Sequence, residues 1–157
     1  MKIILNINNL RKILKPFNDI GFIPTMGGIH KGHISLINKS IKFNKKTIVS
    51  IFVNPKQFND IKDFEKYPNQ RDSDIRKLYD KEVDYIFVPE EDYIYPNAGT
   101  ETILPNEIGR VLEGYSRPGH FEGVLTVVKR LFDLIQPSYS VFGKKDAQQL
   151  FLIKNMI

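Results

Sequence analysis

The stretch TIVSIFVNP, residues 47–55, decides the fold. From Thr47 to Val53 every residue but Ser50 is apolar or β-branched, and Asn54-Pro55 ends the run. A strand with one wet face alternates apolar and polar residues. A continuous apolar run instead marks a strand covered on both faces, as in a parallel sheet. Similar short runs lie on either side, at Ile20–Ile23 before Pro24, at Tyr85–Val88 before Pro89, and at Tyr139–Phe142. Between them the pattern is helical: Ile34, Ile37 and Ile41 recur on one face, placing His33 near a helix start. Asn69–Glu82 reads as a helix with Ile75, Leu78 and Tyr79 on one face and Asp72 and Asp74 near its start, Asp74 as an exposed first-turn acid. Val124, Val127, Val128, Leu131 and Ile135 mark a long amphipathic helix, and Lys145–Met156 a last one. Strands alternating with helices predict an α/β fold, a doubly wound parallel sheet with helices on both faces.

The totals fit one domain over residues 1–157, with no internal repeat, low-complexity tract or linker. The absence of cysteine excludes disulfides and thiolate metal sites and points to a reducing cytoplasm. No stretch has the length and apolarity of a signal peptide or a membrane span. The net charge of +5 comes from lysines spread along the chain rather than massed, so the expectation is anionic small molecules, not nucleic acid. The final LFLIKNMI reads as an apolar helix in mid-pattern, which suggests a domain of something longer.

In doubly wound sheets ligands bind beyond the carboxyl ends of the strands. Three segments follow strands directly and should converge on one cleft: Pro24–His33, Asn54–Phe58 and Gly143–Gln149. In IPTMGGIHKGH, residues 23–33, Gly27, Gly28 and Gly32 let backbone amides approach a ligand, and the helix start behind them favours an anion. His30 and His33 add imidazole donors; a glycine turn carrying two surface histidines is the plain alternative. A zinc site lacks a third ligand, because His120 is distant and no H-E-x-x-H pattern exists. Gln57, just past a strand, can both donate to and accept from a hydroxyl or carboxylate. Gly143 allows close approach, Lys144 and Lys145 can neutralise phosphoryl charge, and Gln149 lies one turn beyond Lys145. Asp146 reads equally well as a first-turn helix acid.

Taken together, P-T-M-G-x-x-H-x-G-H, S-I-F-V-N-P-x-Q-F, R-P-G-H-F-x-G-V-x-T-V-V and F-G-x-K-D-x-Q-Q resemble the pantothenate synthetase (pantoate–β-alanine ligase) family, from about Gly21 to the last residue. That family has a Rossmann-like fold within the nucleotidyltransferases that carry an H-x-G-H motif. The resemblance implies ATP-dependent condensation of pantoate with β-alanine through a pantoyl-adenylate, giving pantothenate, AMP and pyrophosphate, with Mg²⁺. It places ATP on Met26, Gly27, Gly28, Ile29, His30, Lys31, Gly32 and His33, and on Gly143, Lys144, Lys145 and Asp146. His30 and His33 would hold the triphosphate, with His33 as proton donor, and Lys145 would face the phosphates as pyrophosphate leaves. Gln57 and Gln149 would grip pantoate, with Gln57 also meeting β-alanine. Pro24, Thr25, Met26, Val124, Val127 and Val128 would complete the substrate site, although core packing explains the valines equally well. Asp74 becomes a candidate Mg²⁺ contact by its place in R-D-x-D. Arg117 and His120 fit the family's pattern, with gating, structure and dimer contact all open as roles.

The resemblance also implies a homodimer, no nucleic-acid or membrane partner, and a smaller C-terminal lid domain that this chain lacks. An M-S-S-R-N segment of that lid, which closes over ATP, does not occur here. Lesser departures are Lys144, where the family often has an acid, and Glu122. Two other readings therefore stand beside the ligase: an inert dimerisation or ligand-binding module, and a related nucleotidyltransferase. A tRNA-binding fragment lacks the interleaved aromatic and basic residues it would need.

Overall fold

A computed structural model describes residues 1–43, 46–68, 70–96 and 100–157 of the chain. Its elements run β1 (Lys2–Ile4), α1 (Ile7–Leu14), β2 (Ile20–Thr25), α2 (Lys31–Phe43), β3 (Lys46–Ile51), α3 (Ile61–Lys66) and α4 (Arg71–Tyr79). They continue with β4 (Tyr85–Phe87), α5 (Glu91–Ile94), α6 (Glu113–Ser116), α7 (His120–Ile135), β5 (Tyr139–Ser140) and α8 (Ala147–Met156). Short 3-10 turns occupy Pro55–Gln57 and Glu107–Arg110. The five strands are all parallel, in the order β1-β4-β3-β2-β5. This is the α/β fold that the alternation of strands and helices predicts.

Each strand sends alternate residues to opposite faces. Phe22, Ile48 and Phe87 pack with α1, α7 and α8, whereas Ile23, Val49 and Ile86 pack with Ile37 of α2 and Leu78 of α4. The long helix α7 buries Phe121, Val124, Leu125, Val127, Val128, Leu131, Leu134 and Ile135, so it is the main cover of the first face. No helix among the described residues is long and apolar enough to cross a membrane.

The chain winds outward from β2 through β3 to β4, then returns to place β5 on the other side of β2. The crevice at such a reversal, beyond the carboxyl ends of the strands, is where these sheets hold ligands. Pro24 marks the spot. Carbonyls of Ile20 and Phe22 face β5, those of Asp19 and Thr25 face β3, so the missing N–H of Pro24 falls on the β5 side. β5 pairs only with Gly21 and Phe22, so no ladder bond is lost at Pro24. The sheet opens there.

Several expectations change. β2 continues through Pro24 to Thr25, and β5 stops at Ser140. The strand and helix at the amino end, β1 and α1, carry too short an apolar pattern to be read from sequence. Helix α4 starts at Arg71, and the expected start at Asn69 lies outside the described residues. Tyr79 is 70% exposed, because the α4 face that meets the sheet is carried by Leu78 and Asp74. Asp74 is not the exposed acid expected from its position: it is 1% exposed. Helix α8 begins at Ala147, so Lys145 and Asp146 belong to the loop before it.

Candidate active site

A cavity of about 220 Å³ lies at the opening of the sheet, lined by parts of all three strand-end segments. Pro24 and Thr25 come from the end of β2, Met26 and Gly27 from the loop after it and His33 from the first turn of α2. Asn54 and Gln57 come from the β3 turn, Asp146 from the loop before α8 and Gln149 from its first turn. Val124, Val127, Val128 and Leu131 of α7 form an apolar wall, with Phe52 and Tyr67 completing the lining. The convergence expected from strand topology is therefore present, and the valines serve core and cavity together.

The glycine loop is held from behind. Gly27 and Gly28 have φ of +86° and +63°, a region open to glycine at little cost. A Cβ on Gly27 would also stand 2.8 Å from Asp74 Oδ2. The Gly28 and Ile29 amides donate to the Asp74 carboxylate oxygens at 2.8 Å each, and Lys77 adds a bond to the Ile29 carbonyl. The Gly27 amide donates to Thr25 Oγ1, which itself donates to the Ser50 carbonyl. The expectation that these amides face a ligand is corrected here: their donors are spent on shaping the loop. Ile29 is corrected likewise, since its side chain is 3% exposed and packs with Ile23, Ile37 and Leu78.

The imidazoles are oriented by the backbone. His30 Nδ1 accepts from the Gly32 amide at 3.0 Å, and His33 Nδ1 accepts from the His30 amide at 3.4 Å. An amide N–H can only donate, so in the neutral rings both protons sit on Nε2. The rings stack 4.1 Å apart, centroid to centroid. Burial and the neighbouring His30 lower the pKa of His33, partly countered by Asp74. Gly32 makes this possible: a Cβ there would stand 2.7 Å from His30 Cε1. His30 and Lys31 are exposed at the loop's outer edge.

Gln57 is fixed at both ends. Its carbonyl accepts from His120 Nδ1 at 2.9 Å and from Arg117 at 3.3 Å, and Arg117 pairs with Glu113. This gives Arg117 and His120 a structural task, left open by the sequence. Burial lowers the pKa of His120. The Gln57 side-chain amide meets Asn54 at 3.2 Å and Met26 Sδ at 2.8 Å. Gly123 lets α7 approach this turn, since a Cβ there would collide with the Lys56 carbonyl.

Residues 143–149 are brought in only partly. Gln149 and Asp146 line the cavity, whereas Gly143 and Lys145 are exposed and do not. Lys144 lines a separate, larger cavity of about 730 Å³ along the β5 edge, with Phe132, Phe142 and Ile153. Among the described residues no three His, Cys, Asp or Glu side chains form a metal-binding group. Phe52, Tyr67 and Leu131 join the lining without having been expected there, whereas Asn54 opens one of the three segments expected in the cleft. For Asn54 the sequence holds a signal, because an Asn-Pro after a strand is a capping pair; for Tyr67 it holds none.

The model of the family described as pantoate-beta-alanine ligase matches residues 2–157. The chain is 45% identical to the pantothenate synthetase of Staphylococcus epidermidis over 160 residues, covering 99% of this chain and 56% of the relative. It is 48% identical to that of Francisella tularensis subsp. novicida, covering 98% and 59%. Among solved structures it resembles a pantoate-beta-alanine ligase from Francisella tularensis complexed with beta-gamma ATP and beta-alanine, with a TM-score of 0.96, 48% identity, and coverage of 99% and 61%. Pantothenate synthetase from Thermus thermophilus is similar at a TM-score of 0.94 and 38% identity, with coverage of 99% and 56%. The chain thus spans little more than half the length of these relatives. Strand-end motifs, the cavity they build and the match across nearly the whole chain agree, and the chain belongs to the pantoate-beta-alanine ligase family.

Proposed function

We propose that this chain carries the ATP- and pantoate-binding half of an enzyme that condenses pantoate with β-alanine. The observation that carries the reading is the cavity itself, which sets Gln57 and Gln149 against an apolar wall beside His33. A branched hydroxy acid needs those two chemistries together: amides for its hydroxyls and carboxylate, and valines for its methyls. The cavity's size suits such an acid, with ATP lying outside it along His30, His33 and Lys145.

In the first step a pantoate carboxylate oxygen attacks the α-phosphorus of ATP. The bond to the bridging oxygen breaks and pyrophosphate leaves. In the second step the amine of β-alanine attacks the acyl carbon, loses a proton, and AMP departs. Both steps depend on alignment and charge stabilisation. The two Nε2–H groups of His30 and His33 are preorganised donors for phosphate oxygens, and the exposed Lys145 adds positive charge as pyrophosphate separates. Gln57 and Gln149 hold the carboxylate in line. Asp74 does not fit the expected Mg²⁺ contact: it is 1% exposed, and both its oxygens are turned to loop amides. No step is routed through a metal held by the protein. A homodimer belongs to the same proposal, and the exposed Leu104, Leu112 and Tyr115 offer apolar surface for it.

The test is exchange of labelled pyrophosphate into ATP. The reading expects exchange that requires pantoate and is lost in His33→Ala. Exchange that proceeds without pantoate would place the chain among other nucleotidyltransferases, and no exchange with no pantoate binding would leave a binding module of another kind.

A further inference from the structure

Tyr95 lies outside the cavity, just after α5, yet its hydroxyl reaches Asn54 Oδ1 at 2.7 Å. Asn54 is 1% exposed, and two backbone groups fix which way its amide points. Oδ1 accepts from the Lys56 amide at 3.2 Å, and Nδ2 donates to the Gly123 carbonyl at 3.0 Å. Neither backbone group can exchange roles. The remaining Nδ2 hydrogen is directed at Gln57, 3.2 Å away, so the atom facing it must be the acceptor Oε1. Gln57 Nε2 is thereby turned towards Met26. An isolated glutamine amide could present either end; here the choice propagates from the backbone through Asn54.

We propose that Tyr95 is a positioning residue that, together with the Lys56 amide and the Gly123 carbonyl, holds Asn54 so that Gln57 offers an N–H donor to a substrate oxygen. This rests on the reading of the cavity as a pantoate site. The hydroxyl donates to Oδ1, the same atom that caps Lys56, and so opposes reversal of the Asn54 amide. Burial raises the phenol's pKa, so it stays a donor throughout the physiological range. The ring is held independently of the hydroxyl: Lys56 Nζ lies 3.9 Å over it, and Phe52 packs at 6.4 Å. Tyr95→Phe therefore removes the donor and keeps the packing. A site that presents N–H at this point selects an oxygen acceptor and rejects a ligand presenting an ammonium there.

The experiment has two arms. In the ligand-free chain, the Gln57 side-chain amide is followed by NMR in wild type and Tyr95→Phe. The proposal expects its paired proton resonances to shift and broaden in the variant; unchanged resonances overturn it. In the second arm, calorimetry measures pantoate binding in wild type, Tyr95→Phe, Gln57→Ala and the double variant. The loss of one hydrogen bond predicts about 3- to 10-fold weaker binding in Tyr95→Phe. No further loss is expected when it is added to Gln57→Ala. Equal additional weakening in the Gln57→Ala background means that Tyr95 acts through general structure, and overturns the proposal. If wild type binds no pantoate, the reading of the cavity fails, while the NMR arm still decides whether Tyr95 governs Gln57.

Discussion

Replacing Gly32 by alanine should separate stability from function. Gly32 sits in the first turn of α2 and is not among the glycines with positive φ, so alanine fits its backbone. The added Cβ would stand 2.7 Å from His30 Cε1 and 3.0 Å from Nδ1, closer than real contacts allow. The obstacle is a side-chain ring, so the fold yields by swinging His30 away. That movement breaks the bond from the Gly32 amide and the stacking on His33. Alanine gains up to about 1 kcal/mol in helix propensity, and the broken bond costs about 0.5–1.5 kcal/mol. The two nearly cancel, so urea unfolding should move by no more than about 1 kcal/mol. Function should fare differently, because one preorganised donor to developing phosphate charge is worth on the order of 10²–10³ in rate. Pantoate-dependent pyrophosphate exchange is the assay. Full exchange in Gly32→Ala would refute the role given to the His30 orientation. Loss of more than about 3 kcal/mol would show that the glycine serves the fold instead.

Other perturbations probe the supports of the site. Asp74→Asn leaves one of the two loop amides facing an N–H₂ group, and should cost about 1.5–3 kcal/mol in urea unfolding; unchanged stability would reject the loop anchor. Gly123→Ala drives a Cβ into the Lys56 carbonyl and Gln57 amide, so overpacking should cost about 1–3 kcal/mol and weaken pantoate binding together. Pantoate affinity that survives this change would mean Gln57 does not need its present place. Acid should destabilise the fold through His33 and His120. Their folded pKa values lie below the ordinary one, so the unfolded chain takes up protons first as pH falls through about 6.5. Stability from this source is complete above that pH and declines towards the lowered folded values; a urea midpoint that rises from about pH 7.5 to about pH 5.5 would contradict it.

The sheet is legible in the sequence because its central strands carry continuous apolar runs, and the cleft because three segments follow strand ends. Pro24 reads as a stop but is not one: a proline lacks one donor, and only the position of β5 shows that none is needed there. Asp74 reads as a wet acid because helix starts usually carry such acids, and nothing local says that two amides from residues 28 and 29 reach it. The glycine loop reads as a row of ligand donors, but the chain's own carboxylate and a threonine hydroxyl take them. The H-x-G-H tetrad is legible as a glycine turn with two histidines, whereas its glycine's task, clearing space for the His30 ring, leaves no local pattern. Arg117 and His120 act on a carbonyl some sixty residues away in sequence, a pairing with no local trace.

If the cavity is a pantoate site, Gln57 and Gln149 both hold the ligand. Calorimetric titration of pantoate into this chain and its Gln149→Ala variant decides the matter. The wild-type chain should bind saturably, and binding should weaken by about 1–3 kcal/mol in the variant, where polar groups of the ligand go unpaired. Equal binding by both proteins, or none by the wild type, would contradict this.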